Sequence, residues 1–199
     1  MDLEPNRDVM ERHIQLLASP WLEDGVSALI ELRCLKPKNP PASHKFDPAN
    51  DDFLDDALTK VVALNQNGWN VYVCVNPINN QHIGPANDAS IVGAHFAYAD
   101  ADDGQVAARI LSAPKQPDFY VQTGTAPTLR LHAYWQVKGI PDLEAWKRLQ
   151  QRLIATFGSD PAIINPSRIM RLAGTVSYPS QGKRQRGYTP ELTVLKEVM

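Results

Sequence analysis

Two stretches, 94–102 and 129–137, constrain this chain more than any other feature, because each alternates with the period of a strand and gathers charge on one side. In the first, Phe96, Tyr98, Asp100 and Asp102 share one face, with His95, Ala97 and Ala99 on the other. In the second, Arg130, His132, Tyr134 and Gln136 oppose Leu131, Ala133, Trp135 and Val137. The apolar sets belong against helices, and the sequence supplies two. One is expected over 103–112, and a second over 142–157 with Asp142 as cap and Gly158 as stop. A strand over 119–123 leads through GTAPT into the second stretch, and a last strand is expected over 192–198. The order is β-α-β-β-α-β, a split βαβ unit in which the first and third strands are the central neighbours. Its other face then holds two carboxylates, an arginine and a histidine in mid-sheet. Charge there is costly unless it binds something.

The first half reads as helix over 8–17, strand over 26–35, helix over 51–67 stopped by Gly68, and strand over 69–75. Prolines cluster between elements, as in 36–43 and 113–117. The chain is thus expected to be an α/β protein of two fused halves: an αβ module over 1–90, and an RRM-like (split βαβ) half over 91–199, with a cleft between them. At 199 residues, 43% hydrophobic and 21% charged, it has the composition of a folded domain rather than of a disordered chain. No apolar run approaches a membrane span, and the acidic, polar start is not that of a secretory signal. Cys34 and Cys74 are too few for a disulfide framework or a cysteine-rich zinc site, so a cytoplasmic setting is expected. The net charge is −2, but residues 168–199 carry six basic against two acidic side chains, +4, which leaves −6 on the rest. A basic region on an acidic body suits a polyanionic partner.

Asp100 and Asp102, two residues apart, project side by side from a strand end and suit a shared divalent cation of the hard, oxygen-seeking kind. Asp103, just beyond the strand, fits the cap of the next helix better. His132 on the adjacent strand is a candidate phosphate donor, general acid or ligand. His95 faces the helices and is read as structural, and His13, His44 and His82 receive no role. Phe96 and Tyr98 are read as packing beneath the N-terminal half rather than stacking bases. The segment 159–179 is dense with Asp160, Arg168 and Arg171, and arginine forks recognise phosphates bidentately.

HFAYADADD, RLHAYW and DPAIINPSRIMRLAGT, in this order over 94–179, resemble the three motifs of the archaeo-eukaryotic primase superfamily, above all the RepB-like primases and primase-polymerases of phages and plasmids. Two positions depart from that pattern: Arg130 stands where a small residue is usual, and Ala173 where a proline often precedes Gly-Thr. The resemblance implies a DNA primase or primase-polymerase that joins nucleoside triphosphates on a single-stranded DNA template. Asp100, Asp102 and Asp160 would be its metal ligands, for two divalent cations, Mg²⁺ or Mn²⁺. His132 would contact the incoming phosphates, and Arg130, Arg168, Arg171 and Lys183 would hold the triphosphate or the template. A replicative helicase, fused or in trans, is the implied partner. Two other classes stand beside this one. The first is a non-catalytic RRM-like binder of single strands. The second is a rolling-circle or relaxase nuclease, ranked lower because Arg130-Leu131-His132 lacks the paired histidines that chemistry uses.

Overall fold

The computed structural model describes residues 3–140 and 142–198. The chain runs through α1 (Arg7–Glu23), β1 (Ile30–Leu35), β2 (Ala42–Phe46), α2 (Asp51–Gln66) and β3 (Asn70–Cys74), then β4 (Ala94–Ala101), α3 (Gly104–Leu111), β5 (Phe119–Gly124), β6 (Arg130–Ile140) and α4 (Leu143–Phe157). It ends with β7 (Ile169–Arg171), β8 (Val176–Ser177), the single turn α5 (Gln181–Arg184), β9 (Glu191–Leu192) and β10 (Val194–Glu197). Local chemistry accounts for the helix starts. Asn6, Asn50, Asp103 and Asp142 each accept backbone N–H groups of the first turn, which would otherwise have no partner. α1 outruns its expected end at residue 17 because Ala18 and Trp21 continue the buried stripe.

Two antiparallel four-stranded sheets result, in the orders β2-β1-β3-β7 and β10-β5-β6-β4, with β8 and β9 as a separate ribbon. The mixed α/β class and the pairing of the two charged strands are as expected: Asp100 sits opposite His132 in the β4–β6 ladder. The place of β4 within its sheet is not. The last strand, β10, pairs with β5 rather than beside β4, so β4 is an edge strand and not a central one. Its open edge is taken by side chains. Trp146 Nε1 donates to the Phe96 carbonyl at 2.8 Å, Gln150 Oε1 accepts from Tyr98 N at 3.2 Å, and Gln150 Nε2 donates to the Tyr98 carbonyl. Farther along, Asp160 N donates to the Asp100 carbonyl at 3.2 Å. Helix α4 and the loop after it thus do what a fifth strand would do.

The two faces of the second sheet sort as the alternation predicts. Ala99, Ala101, Leu131, Ala133 and Trp135 pack with Val106, Ile110 and Phe157 of the helices. The opposite face is not open along its whole length. Phe96, Tyr98 and Tyr134 are 1%, 0% and 0% exposed, in one core with Met10 and Ile14 of α1 and Leu32 and Val73 of the first sheet. Only the Asp100–His132 end of that face is left for a site. β7 then closes the arrangement by pairing with β3, at Tyr72 opposite Arg171, so the first sheet draws strands from both ends of the chain. Gly174, after β7, holds φ +77°, and a Cβ there would lie 2.4 Å from the Asn6 carbonyl oxygen. Only glycine allows α1 to start this close.

Candidate active site

His132 lies on β6 with its ring between two partners. Its Nδ1 accepts from Arg171 N at 3.2 Å, across the junction of the two sheets, and its Nε2 is 3.6 Å from Asp100 Oδ1. Burial, reinforced by the Arg171 charge, pushes the imidazole down to about 3, so it is neutral. Because Nδ1 is taken by a donor, the single ring proton sits on Nε2, pointing at Asp100. Asp100 itself is pushed up to about 7, chiefly by burial and then by the charges of Asp102 and Asp160. The three carboxylates reach one pocket from β4, from the residue after it and from the loop after α4. Asp160 is aimed there by its backbone bond to Asp100 and by an Asx turn, in which Oδ1 accepts from Ala162 N at 2.9 Å. Asp102 and Asp160 are exposed and Asp100 is half-buried, and Lys183 Nζ of α5 lies 3.5 Å from Asp102 Oδ2.

These residues line a pocket of about 410 Å³ that also includes Arg130, Arg168 and Arg171. All eight residues singled out in the sequence therefore meet in one place, though in different states. Arg171 is held by the first sheet: NH1 donates to Asn70 Oδ1 at 2.7 Å, and the guanidinium lies 4.9 Å from the centre of the Tyr72 ring. Arg168 donates to the Ala162 carbonyl, and its Nε is buried with no protein partner. Arg130 is 5% exposed and already committed. It donates to the Ala126 and Thr128 carbonyls, pairs with Glu191 at 3.2 Å and stacks 4.4 Å from the Tyr188 ring centre. Asp103 caps α3 through Gln105 N and Val106 N, as expected.

Sequence reasoning missed Asn70, Tyr72 and Tyr188, which share the pocket wall. Alternation in β3 does set Asn70 and Tyr72 opposite Val71 and Val73, but nothing local tells that β7 will join that strand. Three oxygen-rich carboxylates beside one another are the donor set that hard divalent cations take. Among the described residues no group of three or more His, Cys, Asp or Glu is drawn together as a ready metal cage. The donor set fits such a cation, and the mutual repulsion at Asp100 is what a bound cation would relieve.

No protein-family model and no curated protein matches the sequence. Solved structures do match the fold. The archaeo-eukaryotic primase domain of the cyanophage S-2L primase-polymerase is 28% identical with a TM-score of 0.66, over 98% of this chain and 91% of that one. The catalytic domain of the primase RepB′ in complex with initiator DNA is 14% identical at TM-score 0.65, over 96% and 84% of the two chains. A second RepB′ structure is 15% identical at 0.63, where 94% of this chain covers 56% of that one.

Proposed function

The chain has the archaeo-eukaryotic primase fold of the RepB-like, primase-polymerase type, and on that premise we propose that it is a DNA primase or primase-polymerase. The observation that carries this is the meeting of Asp100, Asp102 and Asp160 with Arg168, Arg171 and Lys183 in one pocket. Such a wall of carboxylates facing cations suits a nucleoside triphosphate. In the reaction the 3′-oxygen of a nucleotide bonds to the α-phosphorus of the triphosphate. The α–β bridging P–O bond breaks, pyrophosphate leaves, and the hydroxyl proton passes to water.

Asp100, Asp102 and Asp160 would hold the divalent cations, Mg²⁺ or Mn²⁺. Bound there, such ions neutralise charge on the reacting oxygens and keep them in line. The chain's own residues position and neutralise. His132 offers a neutral Nε2–H donor toward the phosphates, and Arg171, braced by Asn70 and Tyr72, presents a charge that does not need to reorganise. Lys183 is the half-buried cation on α5, paired with Asp102, and Arg168 Nε has a donor to spare. Arg130 acts through its bonds to Glu191 and the β5–β6 turn, as a support of the pocket wall. Single-stranded template, nucleoside triphosphates and a helicase that exposes the template complete the reading, as does the division into an αβ module over 1–90 and an RRM-like half over 91–199. A cytoplasmic setting belongs to the same reading, and the two cysteines are buried and free; among the described residues no helix is long and apolar enough to cross a membrane.

A binder that stacks bases on its sheet fares worse, because the aromatics of that face are under α1. Incubation with a single-stranded template, all nucleotides and Mg²⁺ or Mn²⁺ should yield primers, or extend a supplied one, and EDTA should stop it. No product with any template, nucleotide or metal would overturn the reading.

A further inference from the structure

Arg130 is the one departure from the resembled motifs that lines the pocket, at a position where a small residue is usual. Glu191 anchors it. That carboxylate accepts from Thr125 N and Thr125 Oγ1, each at 2.7 Å, and from Ala126 N at 3.2 Å, while it pairs with Arg130 NH2 at 3.2 Å. Gly124 leaves the room this takes, since a Cβ there would run into both Arg130 NH2 and Glu191 Oε1. With its other nitrogen on the Ala126 and Thr128 carbonyls, the guanidinium is a fixed platform.

Tyr188, on the loop between α5 and β9, uses that platform. Its ring centre lies 4.4 Å from Arg130 Cζ, 5.3 Å from Lys183 Nζ and 5.4 Å from Arg186 Cζ. Its N–H donates to the Lys183 carbonyl at 3.2 Å, which fastens the loop to α5. The face of an aromatic ring is negative and attracts cations, whereas three cations gathered without one would only repel. α5 is a single turn with no buried residue, so core packing does not hold it. A lysine stem on such a turn is ordered at a cost in entropy. We propose that Tyr188 is a positioning residue: its ring, set by Arg130 and Glu191, holds Lys183 Nζ beside the carboxylates, where it meets the phosphates of the incoming nucleotide. The 3.5 Å between Lys183 Nζ and Asp102 Oδ2 marks that place. The assignment rests on the nucleotidyl-transfer reading and gives Arg130 a task of its own, exerted through Tyr188.

Tyr188→Leu removes the ring from a half-buried loop position and Tyr188→Phe keeps it, so both should fold, with Tm as the check. Binding of GTP or dGTP with Mg²⁺, whichever the wild type holds more tightly, is measured by calorimetry without template. Lys183→Met should raise the Kd roughly tenfold, the loss of one charged contact. Tyr188→Leu should raise it roughly fivefold, and the Tyr188→Leu/Lys183→Met double variant no further than Lys183→Met alone. Tyr188→Phe should stay within about twofold of the wild type, because the ring remains. Arg130→Lys keeps a charge but loses the fork that joins turn, Glu191 and ring, and should weaken binding at least about twofold. In proton NMR the ring should shift the Lys183 ε-methylene resonance upfield in the wild type and in Tyr188→Phe, and not in Tyr188→Leu. An unchanged Kd in Tyr188→Leu, equal losses from Tyr188→Leu and Tyr188→Phe, or effects that multiply in the double variant would overturn the positioning role. A wild type that binds neither nucleotide would overturn nucleotidyl transfer instead, and the Lys183 resonance then decides the stack by itself.

Discussion

His132 owes its tautomer to a single backbone N–H from Arg171, on the next strand of the chain but in the other sheet. A donor on Nδ1 leaves Nε2 to carry the proton, so the residue enters the pocket as a neutral donor at any ordinary pH. His13, on α1, is held in the same manner for a different end. Its Nδ1 accepts from Ala173 N at 3.1 Å, its ring meets Phe119 and Tyr134 edge-on, and burial pushes it down to about 3 from 6.5. The folded form therefore refuses a proton that the unfolded chain accepts. Its contribution is fully present above about pH 6.5 and is lost progressively as pH falls toward about 3. Urea titrations across that range should show stability falling on the order of 1 kcal/mol per pH unit in the window where only the unfolded histidine is charged. In His13→Asn, whose amide oxygen can still accept from Ala173, stability should be lower at neutral pH and the slope flatter. An unchanged slope would mean that His13 stays neutral for no folding cost.

At the level of elements, the edge of β4 decides where the site forms. Gln150 is fully buried and serves both the N–H and the C=O of Tyr98, so Gln150→Ala leaves two backbone groups unpaired and opens a cavity. A loss of about 2–4 kcal/mol in chemical denaturation is expected. A loss below about 1 kcal/mol would show that water replaces the side chain. Alternation in 94–102 and 129–137 was enough to pair Asp100 with His132, to separate the helix-facing alanines from the acidic face and to mark Asp103 as a cap. These are properties of one residue and its near neighbours in sequence. It was not enough to place β10 beside β5, or to bring β7 onto β3. A strand's faces are written in its own residues, whereas the choice of edge partner depends on which distant segment competes best for it. Here Trp146 and Gln150 win the β4 edge. Arg130 lines the pocket as expected of a phosphate-facing arginine, but its bond to Glu191, far away in sequence, is a contact that no local pattern announces.

The whole molecule is two sheets and α1 sharing one core, and that core carries the site at its margin. Met10, Leu32, Val73, Tyr98, Tyr134 and Met170 belong to a single buried cluster, so the β3–β7 junction cannot move without disturbing the β4–β6 face. Such a frame holds the carboxylates near one another whether or not a cation is present, and the repulsion among them is a standing cost. Mn²⁺ at about a hundred times its Kd should stabilise the wild type by roughly 2.7 kcal/mol, read as a rise in Tm. Asp100→Asn should show little of that rise, and equal rises in both proteins would place the ion elsewhere. The central claim is that these carboxylates perform nucleotidyl transfer, and the rate of primer extension by an Asp100→Asn/Asp102→Asn double variant tests it most directly. With circular dichroism and Tm in the absence of metal equal to or above those of the wild type, extension should fall by roughly a thousandfold or more, the loss of several kcal/mol of transition-state stabilisation. Extension by the folded double variant at the wild-type rate would contradict the account.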